Sequence, residues 1–237
     1  MATVLVIGST GHIGIAAITG ALRSGYNVLA IVRNQESAKK LIKHVPGGHD
    51  RITTVEADVL SDKGVESVVE KVRAGSLPAF QHVFSSVGGA YTDQSMLDTT
   101  TEELRQFMTQ NFESNFFAYR ATIPYLLQQK DQKCTWTTCT GAQGDMGIRA
   151  LPAISQGALY SMSYSACKAL KNTNVRFNEI YLAGRVEVDI EAEQHGVMKS
   201  SIFARAYENV LSREDVKSTR VRVGKEEDVN ELRIEQK

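Results

Sequence analysis

At 237 residues, 42% apolar and 23% charged, the chain is long enough to bury a sizeable core in one large domain or two small ones. Lys+Arg and Asp+Glu balance at 27 each, so no global field attracts nucleic acid or an anionic membrane. No apolar run approaches the roughly 20 residues of a bilayer span, and the opening MATVLVIG carries no secretory signal pattern.

Short β-branched runs alternate with longer helical patterns along the chain. Thr3 to Ile7 is a continuous apolar run, followed by glycines and an amphipathic stretch from His12 to Arg23. Asn27 to Val32 repeats the strand signal, and Gln35 to His44 reads as a helix. Arg51 to Glu56 and Phe80 to Ser85 are further strands, separated by the helical pattern Ser61 to Arg73. A long helix runs from Thr101 to Gln129, then a fifth strand, Lys133 to Cys139. A helix over Ala153 to Lys171 and a sixth strand, Asn174 to Leu182, come next. A polar segment, a helix over Ser200 to Leu211 and a last strand, Thr219 to Val223, complete the series. Lys225 to Lys237 reads as a solvated terminus.

This alternation predicts βαβ units with right-handed crossovers. The fold class is therefore α/β, a doubly wound parallel sheet of about seven strands. No repeat or linker divides it, so residues 1–237 form a single domain, with 183–215 as the region that covers a substrate. Cys134, Cys139 and Cys167 are odd in number and lack metal-ligand spacing, which predicts reduced thiols, no metal and a cytoplasmic protein.

Gly8-Ser9-Thr10-Gly11-His12-Ile13-Gly14 stands directly between the first strand and the first helix. Glycines there permit a tight turn and close approach of backbone to a pyrophosphate, which meets the positive end of the helix. Arg33 follows the second strand, where an acid would hold the ribose hydroxyls of NAD; an arginine suits the 2′-phosphate of NADP(H). Asp58 and Val59, just past the third strand, are placed for the adenine edge, and Ser86-Val87-Gly88 ends the fourth strand beside the cofactor.

With these motifs in order, the sequence resembles the short-chain dehydrogenase/reductase family, which has a Rossmann fold, over nearly its whole length. Asn111 lies thirteen residues before Pro124, the family's spacing for its helix asparagine and proline. The resemblance implies proton transfer by a Ser/Thr, a Tyr and a Lys, the last two as Tyr-x-x-x-Lys beside the nicotinamide. It also implies a homo-oligomer, dimer or tetramer, built on the long helices. Phe112, Phe116, Tyr160 and Tyr164 fit such an interface and fit a core equally well.

Tyr164-Ser165-Ala166-Cys167-Lys168 matches the dyad by pattern but not by place. Counted back from Arg176-Phe177-Asn178 on the sixth strand, the family's tyrosine position falls at Pro152 and its lysine position at Gln156. Tyr164 is twelve residues beyond Pro152, about 18 Å along a helix at roughly 1.5 Å per residue. The serine position falls at Thr138 or Cys139. The expected chain therefore lacks the dyad, and Gln156 borders the cofactor ribose.

Without a proton donor, an iminium carbon still accepts hydride, whereas a ketone oxygen requires a proton. A carboxylate would then stabilise the substrate's positive charge. Asp145, in the loop after the fifth strand, is the best-placed acid, although loop solvation or capping explains it too. Thr138, Asn111 and Arg120 complete the candidate catalytic set, with Arg149 weaker. Thr135-Trp136-Thr137, Thr140-Gly141 and Arg185-Val186-Glu187-Val188-Asp189 resemble an atypical fungal branch. That branch comprises indole-alkaloid NADPH-dependent reductases and cyclases, Diels-Alderase- or Pictet-Spenglerase-like. The expectation is an NADP(H)-dependent enzyme acting on a small imine or iminium. An ordinary carbonyl reductase using Tyr164 and Lys168, and an NADP(H)-sensing regulator without chemistry, are the competing readings.

Overall fold

The computed structural model describes residues 1–89 and 91–237. In chain order the elements are β1 (Thr3–Ile7), α1 (His12–Arg23), β2 (Asn27–Val32), α2 (Gln35–His44), β3 (Ile52–Glu56), α3 (Gly64–Arg73) and β4 (His82–Ser85). Then follow α4 (Thr101–Met108), α5 (Ser114–Gln128), β5 (Cys134–Gly141), α6 (Gln143–Met146), α7 (Ala150–Leu170) and β6 (Val175–Leu182). The last third holds β7 (Val186–Glu187), α8 (Asp189–His195), β8 (Met198–Lys199), α9 (Ser200–Ser212), β9 (Thr219–Val223) and β10 (Arg233–Gln236).

The main sheet has eight strands in the order β10-β9-β6-β5-β4-β1-β2-β3. Every pairing in it is parallel except β10 on β9. Strands buried on both faces read as unbroken apolar runs, and β1, with all five residues buried, is one. One face packs α1 and α9 through Ile15, Ile18, Phe203 and Tyr207; the other packs α3, α5 and α7 around Trp136 and Phe177. These two rings stack at 5.1 Å, and the indole N–H donates to Thr122 Oγ1 at 2.9 Å. The crossovers diverge between β1 and β4, which opens a crevice at the carboxyl ends of those strands.

Three features depart from the expectations. Residues Lys225 to Lys237 are not a solvated tail, because Arg233–Gln236 pairs antiparallel with β9. Its side chains are mostly exposed, so the strand leaves no apolar signature; an open sheet edge recruits it by backbone pairing, helped by ion pairs from Arg233 to Asp228 and Glu235 to Arg222. The 183–215 stretch is also not uniform: α9 belongs to the core, and only 183–199 lies over the strand ends, folded as a β7–β8 pair around α8. Finally, the long helix is interrupted by a π-turn, Thr109–Glu113, between α4 and α5. There Asn111, Ser114 and Asn115 each donate to the carbonyl four residues earlier, the side-chain competition that widens a helix.

Candidate active site

The turn after β1 is shaped for an anionic ligand. Gly8 has φ +83°, and a Cβ on Gly14 would lie 2.1 Å from the Gly8 carbonyl oxygen, so neither position tolerates a side chain. The first bond of α1 runs from Ile15 N to Gly11 O at 2.9 Å, so the N–H groups at its opening turn point out of the helix end. Ser9 faces inward instead, its hydroxyl donating to Ile31 O at 2.5 Å, which ties the turn to β2. Thr10 and Ile13 are half-buried beside it.

Arg33 is exposed at the end of β2, and no salt bridge holds it among the described residues. Asp58 is exposed past β3, one carboxylate oxygen accepting from Leu60 N at 3.0 Å; Val59 is half-buried next to it. Ser86 carries a buried Oγ with no hydrogen-bond partner among the described residues, at the mouth of the β1–β4 crevice. Val87 O accepts from Asn115 Nδ2 at 2.8 Å, and Gly88 has φ +132° against Asn111. The glycine cradle, the orphaned Ser86 hydroxyl and the free guanidinium of Arg33 together fit a phosphorylated dinucleotide.

The candidate catalytic residues do not converge. Asn111 is buried and fully engaged: Oδ1 accepts from Gly89 N at 3.0 Å, Nδ2 donates to Phe107 O, and its carbonyl accepts from Asn115 Nδ2. Thr138 is buried, with no partner for its hydroxyl among the described residues. Burial raises the neighbouring Cys139 thiol to about 12, which keeps it protonated rather than nucleophilic. Arg120 is the one correction: it is exposed, donates to Asp62 O at 3.3 Å and lies over the Phe117 ring. Its side chain reaches the loop between β3 and α3. Asp145 is half-exposed, 3.9 Å from Arg220 on β9.

Helix α7 begins with Leu151 and Pro152 buried against the strand ends. Gln156 Oε1 accepts from Gly141 N at 2.7 Å, and Tyr160, one turn on, donates its hydroxyl to Gly141 O at 2.5 Å. Tyr164 lies further along and is 53% exposed, with Lys237 Nζ 4.0 Å from its ring centroid; Lys168 is exposed. Beneath this helix Glu179 is wholly buried and binds Thr140 Oγ1, Arg220 and Lys237. Arg220 Cζ lies 4.4 Å from the Tyr160 ring centroid and 4.8 Å from that of Tyr181, the two rings packing against each other beside it.

Sequence reasoning missed two contacts that shape the rim. Arg149 bonds Asp93 at 2.6 Å and lies over Tyr91, clasping the loop after β4 to the start of α7. His12 Nδ1 accepts from Val188 N at 3.1 Å, which ties the segment after β6 to the glycine turn. That bond puts the imidazole proton on Nε2, so the ring turns an N–H, not a lone pair, towards Glu191 3.8 Å away. Both contacts join loops far apart in sequence and carry no local pattern.

The short chain dehydrogenase family model matches residues 2–196. The chain belongs to the short-chain dehydrogenase family. Its members are oxidoreductases that use nicotinamide dinucleotides. Among its relatives is the short-chain dehydrogenase/reductase iacG of Pestalotiopsis fici, 52% identical over 99% of this chain and 96% of that protein. An NADP-dependent (R)-specific alcohol dehydrogenase of Lentilactobacillus kefiri is 29% identical over 75% of this chain and 70% of its own. In three dimensions, a short-chain dehydrogenase from Streptomyces avermitilis superposes with a TM-score of 0.79 at 16% identity, covering 98% and 91% of the two chains. No helix among the described residues is long and apolar enough to cross a membrane.

Proposed function

We propose that this short-chain dehydrogenase is an NADP(H)-dependent enzyme of secondary metabolism acting on an imine or iminium, by hydride reduction, stereocontrolled cyclisation or both. The observation that carries this reading is the opening of α7. Pro152 and Gln156 stand where the family's tyrosine and lysine are expected, and Gln156 is tied to Gly141 at 2.7 Å. Tyr164 and Lys168 each lie twelve residues, about three turns, further on, at solvent.

A bound nicotinamide supplies or accepts the hydride. Arg33 would hold the 2′-phosphate, the α1 opening turn the pyrophosphate, and Asp58 and Val59 the adenine edge. With Oε1 occupied by Gly141, Gln156 offers its Nε2 hydrogens to the nicotinamide ribose, while Ser86, Val87 and Gly88 pass close to the rest of the cofactor. NADP preference is supported by Arg33 and by the NADP-dependent relative. Asn111 acts by bracing the loop after β4, since its polar groups are spent on backbone. Asp145 supplies negative charge to a cationic substrate, its pairing with Arg220 being too long for a hydrogen bond. Thr138 shapes the floor. Three free cysteines suit a cytoplasmic enzyme, and the exposed Phe116 and Tyr164 on α5 and α7 suit a homo-oligomer.

The test is NADPH oxidation with cyclic imines and matched ketones, for the native chain and for Tyr164→Phe and Lys168→Ala. The proposal expects imine turnover, no ketone turnover, and both variants within about twofold. A collapse by orders of magnitude in Tyr164→Phe, with ketones reduced by the native chain, makes it an ordinary carbonyl reductase.

A further inference from the structure

The rim of the crevice is built from the loops that leave three adjacent strands, β4, β5 and β6. Large apolar side chains on the loops after β4 and β5 stand in solvent: Tyr91 is 62% exposed, Met146 56% and Ile148 66%. Scattered apolar residues are ordinary on a protein surface, but several bordering a ligand crevice mark a binding surface. The charge on the three loops is lopsided. Segments 91–100, 141–149 and 183–199 hold seven carboxylates against three Lys or Arg side chains and one histidine, His195.

Each of the three cations is already neutralised within the chain. Arg149 is bonded to Asp93, Arg185 to Glu187, and Lys199 to Glu193 at 2.5 Å. Among the described residues of these loops no Lys or Arg is left over to receive an anionic substrate, and His195 is bonded to Glu187 at 2.6 Å. A phosphorylated or carboxylate-bearing molecule, or a thioester delivered on an acidic carrier, would meet net negative potential.

We infer that the substrate is a bulky hydrophobe, neutral or cationic, free rather than carrier-bound, whose apolar part lies against Tyr91, Met146 and Ile148. This inference shares its site with the proposed function but not its chemistry, because it concerns the part of the substrate that does not react. Continuity with the crevice favours a small molecule over a second copy of the chain as the occupant.

The experiment uses unreactive probes: lactams carrying alkyl tails of increasing length, and the same tails ending in a carboxylate. Binding is measured by calorimetry, with and without NADP+, for the native chain, Met146→Ser and Ile148→Ser. The inference expects each added methylene to tighten binding about fourfold. It also expects a tail-end carboxylate to weaken binding at least about tenfold, and each serine variant to flatten the dependence while melting at the native temperature. Affinity independent of tail length, an unchanged dependence in both variants, or carboxylates bound as tightly as methyl-ended tails overturns it. Concentration-dependent self-association abolished by the same substitutions, with no length dependence, assigns the surface to a second copy instead. Failure of the imine reading appears elsewhere, as absent turnover of alkylated cyclic imines while the lactam series keeps its slope.

Discussion

Gln156 and Gly141 are joined by a hydrogen bond of 2.7 Å from the backbone N–H of the last residue of β5 to a side chain on the second turn of α7. The carbonyl of the same glycine accepts the Tyr160 hydroxyl, so one residue at the strand end is gripped twice by the helix. Gln156→Met removes the acceptor and leaves the half-buried N–H unpaired, at a cost of about 1–3 kcal/mol. In a double-mutant cycle with Tyr160→Phe, read by urea unfolding, the two changes should couple by more than about 0.5 kcal/mol. Strict additivity would mean that the two grips act independently.

Glu179 is a buried carboxylate facing two cations, Arg220 and Lys237, with Thr140 donating to it as well. Glu179→Gln leaves both cations without their counter-charge, which should cost on the order of 3–5 kcal/mol. For a domain of this size that is a fall of about 10 °C in melting temperature. Differential scanning calorimetry decides it, and a shift under about 2 °C would show the network to be dispensable.

Arg33 stands exposed at the end of β2, without a salt bridge among the described residues. Arg33→Glu places a carboxylate where a 2′-phosphate would sit and offers it to ribose hydroxyls instead. NADPH affinity should fall by at least about tenfold while NADH affinity rises, as read by the fluorescence of the bound dinucleotide. Equal losses for both would move the discriminating contact elsewhere.

His82 is buried between Tyr26, edge-on at 4.9 Å, and Thr135, whose hydroxyl is 3.0 Å from Nδ1. Burial first, and the charge of Arg176 second, lower its pKa from 6.5 to about 4. Between those values the unfolded chain binds a proton that the folded chain refuses, so stability is whole above pH 6.5 and drains away towards pH 4. At pH 5 the loss should be on the order of 2 kcal/mol. Chemical unfolding at pH 7.5 and pH 5 should show that this part of the difference disappears in His82→Gln.

Much of the architecture is carried by local pattern. The apolar run Thr3 to Ile7, the glycines after it and the helical pattern from Thr101 declare strand, turn and helix through effects confined to a few residues. Hence the doubly wound sheet, the cofactor turn and the displacement of Tyr164 from the opening of α7 are all legible in one dimension. Their physics is periodicity and counting, and it needs no knowledge of what packs where.

The rest was decided by contacts between distant segments. Nothing near Arg233 announces a strand, because β10 takes its place from the free edge of β9 and not from its own apolar content. Arg120 looked placed for chemistry by its spacing from Asn111, but the π-turn and the loop at Asp62 set where its guanidinium goes. The clasp of Arg149 on Asp93 and the bond from Val188 to His12 span 56 and 176 residues. Such pairings depend on how two folded surfaces meet, and a side chain's own neighbours in sequence carry no trace of that meeting.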